Sequence, residues 1–485
     1  MKKALVVNYF KRNKYSFNAL IGALETDEYF DDLAVYFSRD EEELVKNLRE
    51  AVREYEKVIV ALSFMTPQFW EIKELMKKLR EFRGRVFLVA GGPHPTGDPE
   101  GTLKLGFDVV VRGEGEETFK ELLKRVYEGE GFEDLKGISF LEDGEVVSNK
   151  PRRWVDLNDY PPFPIKYKKF GPIEITRGCP YGCFFCQTPR IFGGWVRHRS
   201  VENILRYVEV MRENEKRDVR FVSPNAFSYG SPDGKRLNLE KLEDMIKGAK
   251  EAINPGRVFL GSFPSEVRPE HVNEETLRIV KEYASNDNLV IGAQSGSQRV
   301  LKLCRRGHGV KDVYQAVKLT LKSGLKANVD FIFGLPGEEE EDVRETLKVI
   351  EDLMRMGARI HAHFFLPLPG TPFAEEEPKW LSEDVRRKLR RWASKGKVYG
   401  EWRKQEGLAR RMWDLMSSWS PPTLVKSPVH KPSPANVYYG IAPKPRVEPE
   451  RPLVRREAGK GRVENPNDPC EGCTKVEESH RYEEQ

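Results

Sequence analysis

Over the first 150 residues, short apolar runs alternate with amphipathic stretches. Ala4–Val7, Leu33–Phe37, Val58–Phe64, Val86–Ala90 and Asp108–Val111 are the apolar runs. Val58–Phe64 is apolar at successive positions, as a central parallel strand buried on both faces requires. Glu41–Tyr55 and Pro67–Phe82 instead space their apolar residues for one helical face. Two strands run into glycine-bearing turns, Gly91-Gly92-Pro93-His94-Pro95-Thr96 and Arg112-Gly113-Glu114-Gly115-Glu116. Ligands of such sheets sit beside turns at the carboxyl ends of the strands.

Residues 1–150 thus read as a doubly wound, flavodoxin-like α/β domain with a parallel sheet. Residues 137–165 read as a connector, with a hairpin at Gly137–Val147 and the proline-rich Tyr160-Pro161-Pro162-Phe163-Pro164. A second α/β series follows, with strands expected at 173–176, 219–223, 258–262, 289–293, 327–333 and 360–366. Six βα units predict a partial (β/α)6, TIM-like barrel over 165–375, its site at the strand C-termini. Residues 376–420 are helical and basic, and 421–485 form an extended Pro-rich tail.

Charge and composition narrow the function classes. Lys plus Arg is 81 against 76 Asp plus Glu, a net charge of +5 in 485 residues. That balance disfavours a dedicated nucleic-acid binder. The basic stretch Arg386–Arg411, with Trp392, Tyr399 and Trp402 interleaved, leaves nucleic acid open. The favoured reading is a helix pair covering the barrel, Trp inward and Arg outward. Abundant Glu, Lys and Arg with few Met and Cys is the composition of thermophile proteins. No apolar run is long enough for a membrane span, and the one after Met1-Lys2-Lys3 is too short for a signal peptide. The expectation is a cytoplasmic protein. Six cysteines are too few for a disulfide scaffold and point to metal binding or chemistry.

Three of those cysteines carry the strongest signal. Cys179, Cys183 and Cys186 follow the first barrel strand at C-x-x-x-C-x-x-C spacing. Three thiolates on one loop suit three irons of a 4Fe–4S cubane and leave the fourth iron open to a substrate or cofactor. A structural zinc site, the alternative, prefers four ligands in two pairs.

This motif, with Phe185 before its last cysteine, resembles the radical S-adenosylmethionine (SAM) enzymes. The resemblance implies that SAM chelates the open iron and is reduced to a 5′-deoxyadenosyl radical. Later segments resemble the same family in order. Ser223 and Asn225 lie where the family grips the methionine amino group, without its usual Gly-Gly-Glu. Ser262 and Glu266 follow strand three. Gln294-Ser295-Gly296-Ser297 matches a ribose-side form with Gln in place of Glu. Gly334 and Leu335 match the adenine-side motif, and Leu366–Pro372 the barrel exit. The N-terminal domain resembles the cobalamin-binding domain that precedes many such barrels, through Ser63, Thr66, Gly91, Gly92, His94, Gly113 and Glu114. The Asp-x-His-x-x-Gly motif that supplies a cobalt-ligating histidine elsewhere is absent; after strand one the chain reads Asn8-Tyr9-Phe10-Lys11.

These resemblances imply a cobalamin-dependent methyltransferase acting on an unactivated centre, with a ferredoxin- or flavodoxin-type reducing partner. The alternatives are radical cyclisation, rearrangement or RNA modification, and a binding protein without turnover. Methylthiotransferases of this architecture carry three further N-terminal cysteines, and residues 1–178 contain none. His94 either approaches the corrin or orders its own loop. His308 reads as a surface histidine beside arginine, and Cys304 as a small buried hydrophobe. Cys470 and Cys473, with His480 nearby, form a C-x-x-C pair in the tail that is a candidate metal site. No motif names the substrate.

Overall fold

The computed structural model describes residues 2–419, with side chains through residue 414. The Cys470/Cys473 pair and His480 lie outside the described residues.

Five parallel strands form the N-terminal sheet: β1 (Lys3–Asn8), β2 (Ala34–Ser38), β3 (Lys57–Ser63), β4 (Val86–Gly91) and β5 (Val109–Val111). Their order, β2-β1-β3-β4-β5, reverses direction between β1 and β3. That reversal is the switch point at which doubly wound sheets open a crevice. Every residue of β1 is buried. Alternate side chains feed two separate cores: Val6, Val58 and Val60 on one face, Leu5, Val7 and Ile59 on the other. Helices on both faces produce this two-sided burial, and the apolar runs of the sequence record it.

The hairpin read as part of a connector belongs to this sheet. β6 (Ile138–Glu142) pairs antiparallel with β5, and β7 (Glu145–Ser148) closes the edge. Its inward residues Ile138 and Phe140 join the N-terminal core, which is why it docks.

The second unit follows the expected strands. After β8 (Ile173–Glu174) come the short antiparallel pair β9 (Thr176–Arg177) and β10 (Arg197–His198), then β11 (Asp218–Val222), β12 (Arg257–Phe259), β13 (Asn288–Gln294), β14 (Lys326–Phe333) and β15 (Arg359–Phe364). β8, β11 and β12 are parallel neighbours, as are β13, β14 and β15. The parallel bridge Val267–Ile291 joins the two groups into one open barrel. A strand absent from the sequence reading, β16 (Val398–Tyr399), adds in parallel to β15.

The basic segment is a helix pair, Glu383–Ser394 and Trp402–Trp419, with β16 between. Trp402 and Leu389 are buried in the barrel core while Arg387, Arg390 and Arg391 are exposed, as the favoured reading expected. Among the described residues no helix is long and apolar enough to cross a membrane.

Candidate active site at the barrel mouth

The cysteine loop leaves β9 through Gly178 at φ +90°, where an added Cβ would lie 1.9 Å from the Trp195 carbonyl. Only glycine fits there. The loop is fixed by backbone bonds: Cys179 N–H to Gly193 O (3.0 Å), Cys186 N–H to Cys183 O (3.1 Å) and Phe184 N–H to Cys304 O (3.1 Å). Cys179, Cys183 and Cys186 are free thiols on this single turn. Burial pushes the Cys179 thiol up and Cys186 up to about 11. Binding a metal here must therefore expel protons, and cationic neighbours ease that step. Arg306 supplies one, its Nη1 3.8 Å from Cys183 Sγ. Arg268 is the other, and both oppose the rise at Cys179. The donor set and its charge environment fit a cluster.

Arg306 and Arg268 were not singled out in the sequence. Arg306 donates to Gly292 O (2.8 Å) and faces Glu266, whose carboxyl is raised by burial and held back by Arg306. Arg268 stacks over Tyr181 at 3.3 Å and bonds Glu270 (2.6 Å) and the Arg306 carbonyl. The only sequence signal for Arg306 is the basic run Arg305-Arg306-Gly307-His308.

That histidine is not on the surface. The His308 side chain is fully buried, its Nε2 3.1 Å from Ala293 O and its Nδ1 3.6 Å from Glu270, and burial drops its pKa to about 3. The tight turn at Gly307 (φ +88°) folds the ring inward against β13. Cys304 is buried as expected, in a satellite cluster with Val300, Leu335, Phe365 and Phe373. Phe184 and Phe185 pack on the same cluster, so Phe185 and Leu335, predicted from different motifs, share one apolar cluster.

The remaining predicted residues divide by whether their polar atoms are free. Ser223 bonds the Asn225 carbonyl and accepts from Asn225 N–H. Asn225 bonds His271 (2.7 Å) and Arg268 N–H (3.1 Å). Ser295 pairs with Thr346 and Ser297. These three brace loops. Ser262 differs: its Oγ is buried without a partner. So does Glu338, whose Oε2 accepts Gly334 N–H (3.1 Å) while Oε1 stays unpartnered. Buried unpaired polar atoms are costly and point to a missing ligand. Gln294 sits at φ +73°, strained for a non-glycine residue, at a register shift of β13. Gly334 is required: a Cβ there would lie 2.5 Å from the Phe364 ring. These orphans and tight backbone positions fit a cofactor such as SAM.

A cavity lies at the carboxyl ends of the N-terminal strands. Ser63, Gly91, Gly92, Gly113 and Glu114 line it from one side, Arg177, Ile191 and Phe192 from the barrel side. Gly92 holds φ +96°, and a Cβ there would approach Ser63 Oγ to 2.7 Å. A floor of glycine and serine fits a flat ring laid against backbone.

Three of the predicted N-terminal residues are placed differently from Ser63 and the glycines. His94 and Thr66 do not line this cavity. His94 packs against the Phe64 and Phe69 rings in the core beneath, its Nδ1 3.2 Å from Thr66 Oγ1, and burial lowers its pKa to about 4. These contacts brace its own loop, while its Nε2 is buried without a hydrogen-bond partner. Glu114 lines the cavity, but its carboxylate is engaged by Arg197 and by Val155 N–H (2.9 Å). With Arg177 bonded to Glu116 and Glu174 (both 2.7 Å), it builds a buried charge network between the domains. Breaking one such buried pair costs about 3–5 kcal/mol. Gln187 completes the junction, its amide donating to Pro93 O (3.0 Å) and Pro369 O (2.8 Å).

Residues 173–350 match the Radical SAM superfamily, and residues 16–123 match the B12 binding domain. A protein named as an uncharacterized methyltransferase, PH0819 of Pyrococcus horikoshii, is 28% identical over 370 residues, covering 73% of this chain and 76% of that one. A protein of Methanocaldococcus jannaschii named as a methylthiotransferase, MJ0865, is 30% identical over 292 residues, covering 58% and 61%. Among solved structures, the radical SAM methyltransferase TsrM of Kitasatospora setae, with cobalamin and a [4Fe-4S] cluster, superposes with a TM-score of 0.63 at 17% identity. It covers 77% of this chain and 74% of its own. The chain carries a Radical SAM domain preceded by a B12-binding domain, and it is an enzyme. Its cofactors are a 4Fe–4S cluster, SAM and cobalamin.

Proposed function

We propose that this enzyme transfers a methyl group from cobalamin to an unactivated centre of its substrate. The observation that carries this reading is the junction itself. Gln187, next to the last cluster cysteine, is bonded at once to the Gly92-Pro93 turn of the N-terminal cavity and to the barrel exit at Pro369. Radical-generating loop and strand-end cavity thus share one face, so a substrate can meet both.

When bound, the cluster and SAM supply a 5′-deoxyadenosyl radical, and cobalamin supplies the methyl group. The chain supplies position and charge. Cys179, Cys183 and Cys186 hold the cluster, and Arg306 and Arg268 place positive charge beside the thiolates. Ser262 Oγ and Glu338 Oε1 offer SAM two polar contacts, with Leu335 and Phe185 as the apolar side. Ser63, Gly91, Gly92 and Gly113 let the corrin approach the strand ends.

Methylthiolation, the activity in the name of the M. jannaschii relative, is disfavoured because residues 1–178 contain no cysteine for a second cluster. The test is incubation of reduced holoenzyme with methyl-deuterated SAM and an extract of its native cells. Label in a new product together with 5′-deoxyadenosine and S-adenosylhomocysteine supports methyl transfer. 5′-Deoxyadenosine without labelled product moves the assignment to cyclisation or rearrangement.

A further inference from the structure

We propose that Asp330, His361 and His363 bind one zinc-type divalent metal ion inside the barrel, at a site separate from the cysteine cluster.

The topology brings the three together. β14 and β15 are parallel neighbours, and Asp330 lies opposite His361 in their register. His363 is two residues further along β15 and so shares the face of His361. The alternate residues Val329, Phe331, Ile360, Ala362 and Phe364 pack in the core that includes Leu347, Ile350 and Leu353 of the outer helix Glu340–Met356. Asp330, His361 and His363 therefore face inward. One ligand atom from each lies within 4.8 Å of the other two.

The geometry is that of a ligand set. His361 Nδ1 lies 3.1 Å from Asp330 Oδ1 and 3.1 Å from His363 Nε2. Ligands on a tetrahedral zinc at about 2.0–2.1 Å stand roughly 3.3 Å apart. Hydrogen bonding alone serves this cluster poorly. His361 Nδ1 either carries one proton or offers one lone pair, yet two atoms with lone pairs approach it. A donor from His363 leaves Asp330 against a lone pair, and a donation to Asp330 leaves His363 without its own partner. A cation among the three satisfies all of them.

The surroundings hold the rings in place. Tyr399 of β16 stacks on His361 with centroids 4.6 Å apart and planes at 6°. The Gln405 amide lies 3.4 Å from His363 Nδ1, and its oxygen accepts Phe364 N–H (2.8 Å). Such outer contacts orient metal-binding histidines. The His361 side chain remains 29% exposed, so an ion can enter. Two histidines and one carboxylate leave a fourth position for water or a substrate oxygen, as in catalytic rather than structural zinc sites. The His-x-His alternation on a predicted strand was the sequence signal for this site.

The test uses full-length protein with its cluster reconstituted. It is equilibrated with zinc, desalted, and assayed for zinc and iron by elemental analysis and for the zinc shell by X-ray absorption. The expected result is about one zinc per chain in a nitrogen/oxygen shell. It is lost in H361A/H363A, and weakened at least about tenfold in D330N, while iron is unchanged; even outer-shell changes act on that scale. The Asp330→Asn protein keeps the shape of the site should the double variant fail to fold. Absence of retained zinc overturns the proposal. So does zinc in a sulfur shell that disappears in C470S/C473S, or zinc retained by both the histidine and the Asp330 variants.

Discussion

The side-chain amide of Gln187 donates to the Pro93 carbonyl at 3.0 Å, joining the residue after the last cluster cysteine to the glycine turn of the N-terminal sheet. A second bond to Pro369 O at 2.8 Å ties in the barrel exit. Gln187→Ala removes both donors and strands two carbonyls at the junction. The expected cost is about 1–3 kcal/mol, seen as a lower Tm in thermal unfolding of the holoenzyme. An unchanged Tm would remove Gln187 from the junction argument.

Gly92→Ala tests the floor of the cavity. The backbone is at φ +96° and the new methyl meets Ser63 Oγ at 2.7 Å. Destabilisation of about 1–3 kcal/mol is expected from the strained backbone alone. Cobalamin retention should fall while iron stays, because the cysteine loop is on another segment. Equal loss of both would show a general folding defect.

Each of Cys179→Ser, Cys183→Ser and Cys186→Ser should abolish 5′-deoxyadenosine formation and deplete iron without changing the far-UV circular dichroism. The proposed function makes the three thiols the protein ligands, and the loop backbone is held independently by Gly193 and Cys304. Cys304→Ala, by contrast, should retain iron. Cys304 packs with Val300 and Phe373, so its change costs stability alone.

Glu338 predicts a pH dependence. Burial raises its carboxyl from 4.5 to about 8. The unfolded chain then loses this proton near pH 4.5 while the folded protein keeps it. Stability falls as pH rises from about 4.5 to 8 and levels off above. Glu338→Gln, uncharged throughout, should gain Tm relative to wild type with rising pH. Parallel Tm curves between pH 5 and 8.5 would contradict the buried-acid assignment.

Much of this architecture was legible because burial leaves periodic traces. The five parallel strands of the first sheet and the six of the barrel were read from apolar runs, continuous where both faces are covered, as in β1 and β3, and alternating in β11 and β15. The β6–β7 hairpin was read as a hairpin within a connector; its place in the first sheet was not, because its pairing with β5 leaves no local trace in the sequence. The cysteine triad was legible because all three ligands lie on one turn. Arg306 and Arg268 were not, because loops distant in sequence assemble them, and the His361-x-His363 alternation gains Asp330 only through the pairing of β14 with β15. His94 and His308 show the converse. Each stood out beside a glycine turn, yet in the fold each is buried to brace a loop. Ser223, Asn225 and Ser295 lie in the expected turns, but only the structure shows that their polar groups are already engaged.

The most direct test of the central claim is the cobalamin-to-iron ratio of protein purified anaerobically with cobalamin supplied. The account predicts near-stoichiometric cobalamin beside about four irons per cysteine-bound cluster. About four irons with no cobalamin would contradict it, and would make the N-terminal cavity a substrate-binding or scaffold surface rather than the source of the methyl group.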